Sequence, residues 1–177
     1  DDFIVSGKVV MFVGTKVQTK NQVKEAAVEC GLPYVTERWI GGLFTNFESI
    51  SKRVAHLKDL ESKKVSGDFA KYTKKEQLDM TNEMAKLEIK FGGLKMLEKL
   101  PDAIFVFDLD ENQLAVKEAK QRGITVFGIS DTNTDPSVLD YTIPANDDAV
   151  SSINYLVGQV KKTILEAQSK VKPEEHS

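Results

Sequence analysis

The sequence has little of what most protein chemistry needs. One cysteine, Cys30, stands alone in 177 residues, so no disulfide can close within it. A reducing compartment is expected, most simply the cytoplasm. The two histidines, His56 and His176, lie far apart with no cysteine near either, so zinc has no ligand set. The longest apolar runs, Val9–Val13 and Ile104–Phe107, fall far short of the roughly 20 residues that span a bilayer. No charged start followed by an apolar stretch and a small-residue cleavage site is present, so no secretory signal is expected. Internal repeats and long low-complexity stretches are missing as well. What remains, 41% hydrophobic and 29% charged, is an ordinary globular composition with room for one core and an insertion.

The net charge of −3 argues against a nucleic-acid partner until its distribution is considered. Residues 101–150 hold three basic and ten acidic side chains, a local −7. Residues 47–100 hold twelve basic and nine acidic ones, a local +3. One acidic region and one basic arm are averaged together in the total.

Strand and helix patterns alternate along most of the chain. Residues 8–13 are continuously apolar after Lys8 and end at Gly14, as in a parallel strand buried on both faces. Thr19 and Gln22 have capping-box spacing, and the helix they open buries Val23, Ala26, Ala27 and Cys30 before Gly31 stops it. Short strands follow at Tyr34–Thr36, Ala103–Phe107, Ile124–Ile129 and Tyr141–Ile143, with a helix from about Asn112 to Arg122. Asp147 and Asp148 suit the start of a last helix. Its apolar face would be Val150, Ile153, Leu156, Val160 and Ile164. The economical fold is α/β: a doubly wound parallel sheet in three layers, over residues 1–46 and 101–172, with 173–177 a frayed tail.

Residues 47–100 break the alternation. Thr45-Asn46 offers a helix cap, after which Phe47, Ile50, Val54 and Leu57 recur at heptad steps. A polar link runs from Ser62 to Asp68. Thr73 and Glu76 then form a second capping box, and Met80, Met84, Leu87, Phe91 and Leu94 continue the seam. The segment reads as an inserted antiparallel coiled-coil hairpin. It is too thin to own a core beyond its seam, so it should project from the sheet.

Three places invite a chemical reading. The turn Gly14–Lys20 sits where a phosphate loop would, yet it lacks the glycine that must precede the lysine. Lys16 and Thr19 also stand where a dinucleotide fold needs its second and third glycines. Lys16 and Lys20 still leave a positive lip that a backbone phosphate could use. Asp108, Asp110, Glu111 and Asp131 follow strands at the carboxyl edge, where α/β enzymes place catalytic groups. No serine, histidine or lysine is placed to complete a mechanism, and aspartates there are ordinary turn formers. No catalytic residue, metal site or cofactor is assigned.

The third place is Arg38-Trp39-Ile40-Gly41-Gly42, leading to Asn46 at the root of the hairpin. Arg38 can fork onto a phosphate and Trp39 can stack on a base. Equally, Trp39 can plug the gap where arm meets sheet. With the basic arm, these give the candidate RNA contacts: Lys16, Lys20, Arg38, Trp39, Asn46, Lys52, Arg53, Lys63, Lys64, Lys71, Lys74 and Lys75.

Seven blocks in order carry a family resemblance. They are Phe12–Lys16, Arg38–Gly42 with Thr45-Asn46, Leu57–Glu61, Thr73–Glu76, Pro101–Val106, Asp131–Pro136 and Ile143–Ala149. Together they resemble the small-subunit ribosomal protein number two family, in its bacterial or organellar form. Ala145 departs from the glycine usual in bacterial members. The family's His- and Arg-rich opening is not in the sequence, which would leave a sheet edge unpaired and prone to association. The resemblance implies a flavodoxin-like domain with a coiled-coil hairpin, a non-enzymatic constituent of the small subunit. Its partners would be small-subunit ribosomal RNA and neighbouring ribosomal proteins, including the large mRNA-binding protein number one in bacteria. It implies a place on the ribosome and no membrane or small-molecule partner. By charge, the acidic 101–150 region would face protein.

Two rivals remain at this level. One is an enzyme using Asp108 and Asp131 with a metal, which magnesium plus a nucleotide should stabilise. The other is a coiled-coil adaptor that binds only proteins, whose particle ribonuclease would leave intact.

Overall fold

A computed structural model describes residues 2–130, 135–145 and 150–171. The continuous apolar runs become strands β1 (Val10–Val13), β2 (Tyr34–Val35), β3 (Ala103–Val106), β4 (Thr125–Ser130) and β5 (Tyr141–Pro144). All pair in parallel in the order β2-β1-β3-β4-β5. Both faces are covered, which is why β1 and β3 need no polar face. Met11, Val13, Ile104 and Val106 point into one core, and Val10, Phe12, Ala103 and Phe105 into the other. The second core is closed by α1 (Asp2–Val5), α2 (Lys20–Cys30) and α6 (Val150–Lys170). The first is closed by α5 (Gln113–Gln121) and by the inserted helices α3 (Phe47–Ser66) and α4 (Lys74–Phe91). This is the three-layer doubly wound architecture expected from the sequence.

The insertion forms a helical hairpin whose seam is largely as read. Ile50, Val54, Leu57, Phe91 and Leu94 are buried, and Met84 and Leu87 pack beside them. These residues belong to the same core as Met11, Val35 and Ile104, so the inner part of the hairpin is continuous with the sheet domain. The polar link is shorter than expected. Ser62–Ser66 are helical, and α3 stops only at Gly67, whose φ of 80° turns the chain. A 3-10 turn over Asp68–Lys71, with Phe69 buried, then leads to Thr73.

The helix caps divide sharply. Thr73 enters α4 from extended backbone and forms both halves of its capping box with Glu76, at 2.8 and 3.3 Å. Thr19 and Asn46 make no side-chain cap bond. In each case the chain is already coiled, with Lys20 N–H donating to the Lys16 carbonyl and Asn46 N–H to that of Gly42. A coiled approach leaves the side chain badly aimed at the first amides. The face expected for α6 also shifts. Val150 is 40% exposed, whereas Val157 and Ala167 join Ile153 and Ile164 in the core. The caps expected from Asp147 and Asp148, the turn at Asp131 and the tail with His176 lie outside the described residues.

Candidate nucleic-acid interface

In a doubly wound sheet, ligands enter where the strand order reverses, here between β1 and β3. The loops that flank this point are locked to each other. Asp108, only 1% exposed, accepts the backbone N–H groups of Thr15 at 2.9 Å and Lys16 at 2.6 Å. Asn112 Nδ2 donates to its other oxygen at 2.6 Å. Burial pushes the Asp108 carboxyl up from 3.8 to about 6, against the lowering effect of those amide bonds. The amides that would cradle a phosphate therefore already have an anion, supplied by the chain itself. Among the described residues no group of three metal-ligating side chains comes together, and Asp131 is outside them. An opening of about 310 Å³ between α1, the sheet and α6 is lined by residues such as Phe3, Phe105, Phe127 and Leu156, with no charged group.

Other acidic residues of 101–150 also accept backbone amides, Asp102 from a half-buried position and Asp140 from an exposed one. Asp102 accepts from Val9 N–H and Asp140 from Val126 N–H, each at 2.8 Å. Part of the local −7 thus goes to tying loops and strands together. Burial of Asp108 and Glu118 shrinks the acidic surface expected to face a protein partner.

The root of the hairpin is built around a buried glutamate. Glu118, on α5 and 4% exposed, accepts from Gly42 N–H at 2.7 Å, Phe44 N–H at 3.0 Å and Thr45 N–H at 3.4 Å. One turn later, Arg122 Nη2 donates to the Thr45 carbonyl. Gly42 has φ of 89°, a conformation open to glycine, which lets successive amides converge on the carboxylate. Trp39 packs edge-on against Phe44 with centroids 5.0 Å apart, and is 6% exposed. Its ring fills the gap between arm and sheet, so in this arrangement it has no open face for a base. Arg38 beside it is exposed. Sequence reading missed Glu118 and Arg122. The signal was a glutamate within the apolar stripe of Ala115, Val116 and Ala119.

The remaining candidates fall into two groups. Lys20 pairs with Glu37, Lys52 with Glu48, Lys63 with Asp59 and Lys71 with Asp68. Lys16 also has a partner. Arg53, Lys64, Lys74 and Lys75 are exposed, with no ion pair among the described residues, and Asn46 is exposed at the root. Connectivity gathers Lys63, Lys64, Lys71, Lys74 and Lys75 around the turn between α3 and α4. Asp59 raises the Lys63 ammonium and Asp68 that of Lys71, in each case chiefly by direct hydrogen bonding, so both stay cationic. Surface pairs of this kind exchange readily for a phosphate. Root and tip are therefore not one patch but two, joined by the length of α3.

A sequence model of the family described as Ribosomal protein S2 matches residues 1–167. The chain is 48% identical over 158 residues to the Small ribosomal subunit protein uS2 of Marinobacter nauticus, covering 89% of this chain and 63% of that protein. It is 43% identical over 167 residues to the protein of the same name from Roseiflexus sp., covering 94% and 64%. The chain thus spans a little under two thirds of the length of these relatives.

Proposed function

The chain belongs to the ribosomal protein S2 family, and from that premise we propose that it is a structural, non-catalytic constituent of the small ribosomal subunit. Its role is to hold small-subunit ribosomal RNA and neighbouring ribosomal proteins, and so its place in the cell is on the ribosome. The observation that carries the RNA contact is the hairpin tip. There Lys64, Lys74 and Lys75 stand exposed, with no ion pair among the described residues, beside Lys63 and Lys71. Compact ammonium groups on flexible stems suit phosphate oxygens, which position a protein without reading sequence. Arg38 and Asn46 at the root, with Arg53 on α3, extend the contact toward the sheet. Trp39 supports this root from inside.

A further observation favours a binding module over an enzyme: the switch-point amides are taken by Asp108. No helix of the described residues is long and apolar enough to cross a membrane. The test is sedimentation of the tagged full-length protein from lysate in magnesium buffer, with and without ribonuclease. Co-migration with the small subunit that ribonuclease abolishes is expected. A particle that survives ribonuclease would favour the adaptor reading, and a protein that stays at the top of the gradient would overturn both. Lys74→Glu with Lys75→Glu should weaken the association; an unchanged profile would remove the tip from the interface.

A further inference from the structure

We propose that Glu118 is a positioning residue for RNA binding: from the sheet domain it fixes the direction in which the hairpin presents its basic tip. The inference rests on the tip reading above and adds the element that aims it. A buried carboxylate is costly unless its oxygens are saturated. Here Gly42, Phe44 and Thr45 supply three backbone donors, all from the loop that leads directly into α3. Packing alone does not set the course of this loop. Leu43 and Phe44 anchor it in the core and Trp39 seals it, but apolar contacts are tolerant of small rotations. Hydrogen bonds to one carboxylate are not, because they weaken steeply with angle. Arg122, the residue that caps the C-terminus of α5, adds a fourth tie, to the Thr45 carbonyl. The two partners of the loop thus sit at the C-terminal end of α5, Glu118 in the helix and Arg122 at its C-cap.

The Asn46 side chain adds no cap bond that could fix the helix start independently. Ile50, Val54 and Leu57 seat α3 on the sheet domain by apolar packing, and the latch just upstream supplies the directional bonds that fix its remaining tilt. The consequence grows with distance. α3 has 20 residues. At 1.5 Å per residue it is about 30 Å long, so a tilt of about 10° at the root moves its far end by about 5 Å. Such a displacement is enough to take an ammonium out of reach of a phosphate, while the tip itself stays folded. A residue that touches no RNA can in this way control contacts made by Lys64, Lys74 and Lys75.

The experiment uses the full-length protein with Cys30→Ala and spin labels at Val65→Cys and Lys162→Cys, two exposed positions on α3 and α6. Pulsed dipolar distances are read in this background, in Glu118→Gln and in Arg122→Ala. Glu118→Gln keeps the side-chain volume but turns an amide N–H₂ toward the loop donors. Arg122→Ala removes only the exposed tie and guards against a Glu118 variant that fails to fold. Binding of in vitro transcribed small-subunit ribosomal RNA is measured in parallel, well below each melting temperature. Expected is a displaced or broadened distance in both variants, together with a loss of binding at least as large as Lys75→Ala produces. An unchanged distance in both overturns the latch. A changed distance with unchanged RNA binding overturns the positioning role and leaves a structural tie only. Lys75→Ala without effect on binding would instead bring down the tip reading on which the proposal stands.

Discussion

The carboxyl edge of the sheet and the tip of the hairpin both carry charged groups and use them in opposite ways. At the edge, Asp108 is sealed from water and commits its lone pairs to Thr15, Lys16 and Asn112. At the tip, Lys64, Lys74 and Lys75 are exposed, and Lys63 and Lys71 hold only surface partners. The edge is where this architecture usually binds its ligands, yet it is closed from within. The tip is an addition to the architecture, and it is open. A fold can thus keep its usual site closed by its own side chains while an inserted arm carries the open charged surface.

The junction between the two regions should be the most sensitive point. At Gly93, where the chain returns from α4 to the sheet, a Cβ would collide with the Tyr34 carbonyl oxygen and the Tyr34 ring. The backbone oxygen cannot move aside without distorting β2. Gly93→Ala should therefore cost about 3 kcal/mol or more, the upper range for overpacking a rigid site. Denaturant titration checks this. A variant as stable as the wild type would mean that hairpin and sheet are less tightly joined than the shared core implies.

Asp108 sharpens the comparison through pH. Its folded value of about 6 lies above the ordinary 3.8, so the folded state holds this proton more tightly than the unfolded chain does. Its contribution to stability is then complete below about pH 4 and is lost as pH rises to about 6. Two pKa units correspond to about 3 kcal/mol at most. This runs against the usual acid denaturation of paired carboxylates, and subtracting the Asp108→Asn curve from the wild-type curve should isolate it. Unfolding midpoints between pH 4 and 7.5 give the answer. Parallel curves would place Asp108 in a wetter site than its burial indicates.

The tip should respond to salt and not to pH. Replacing Lys74 and Lys75 by alanine should lower the salt slope of RNA binding by about one for each phosphate these lysines neutralise, with little change in stability. An unchanged slope would mean that these ammonium groups release no counterions and that the RNA is held elsewhere.

How much of this was legible depended on whether a feature is local. The apolar runs read over 8–13 and Ala103–Phe107, the heptad steps from Ile50 to Leu94 and the stop at Gly31 are local patterns. The strands appear slightly shortened, as Val10–Val13 and Ala103–Val106, the seam largely forms, and the helix stops at Gly31. The family followed from motifs in order along the chain. The root latch could not be read this way. Glu118 lies 76 residues from Gly42, and nothing in either neighbourhood names the other. The roles of the acidic residues were hidden for the same reason. A carboxylate on the surface and one that ties two loops look alike until the topology brings β1 and β3 side by side. Trp39 stayed ambiguous in the sequence because a plug and a stacking platform require the same ring.

The helix caps give the finest version of the comparison, and the smallest effects. Thr73 at the tip and Asn46 at the root are both good N-cap residue types, placed one before a helix start. Only Thr73 donates and receives as a cap should, because only it arrives with extended backbone. Thr73→Ala should therefore cost about 1 kcal/mol, the usual value for a working cap. Asn46→Ala should cost less than about 0.5 kcal/mol, as for an exposed residue without a specific role in the fold. Paired thermal melts separate the two. A costly Asn46→Ala would show that the side chain caps α3 after all, and that the helix start has an anchor besides Glu118. A neutral one leaves the asparagine free for another use, and an accompanying fall in RNA binding would identify it as a contact at the root.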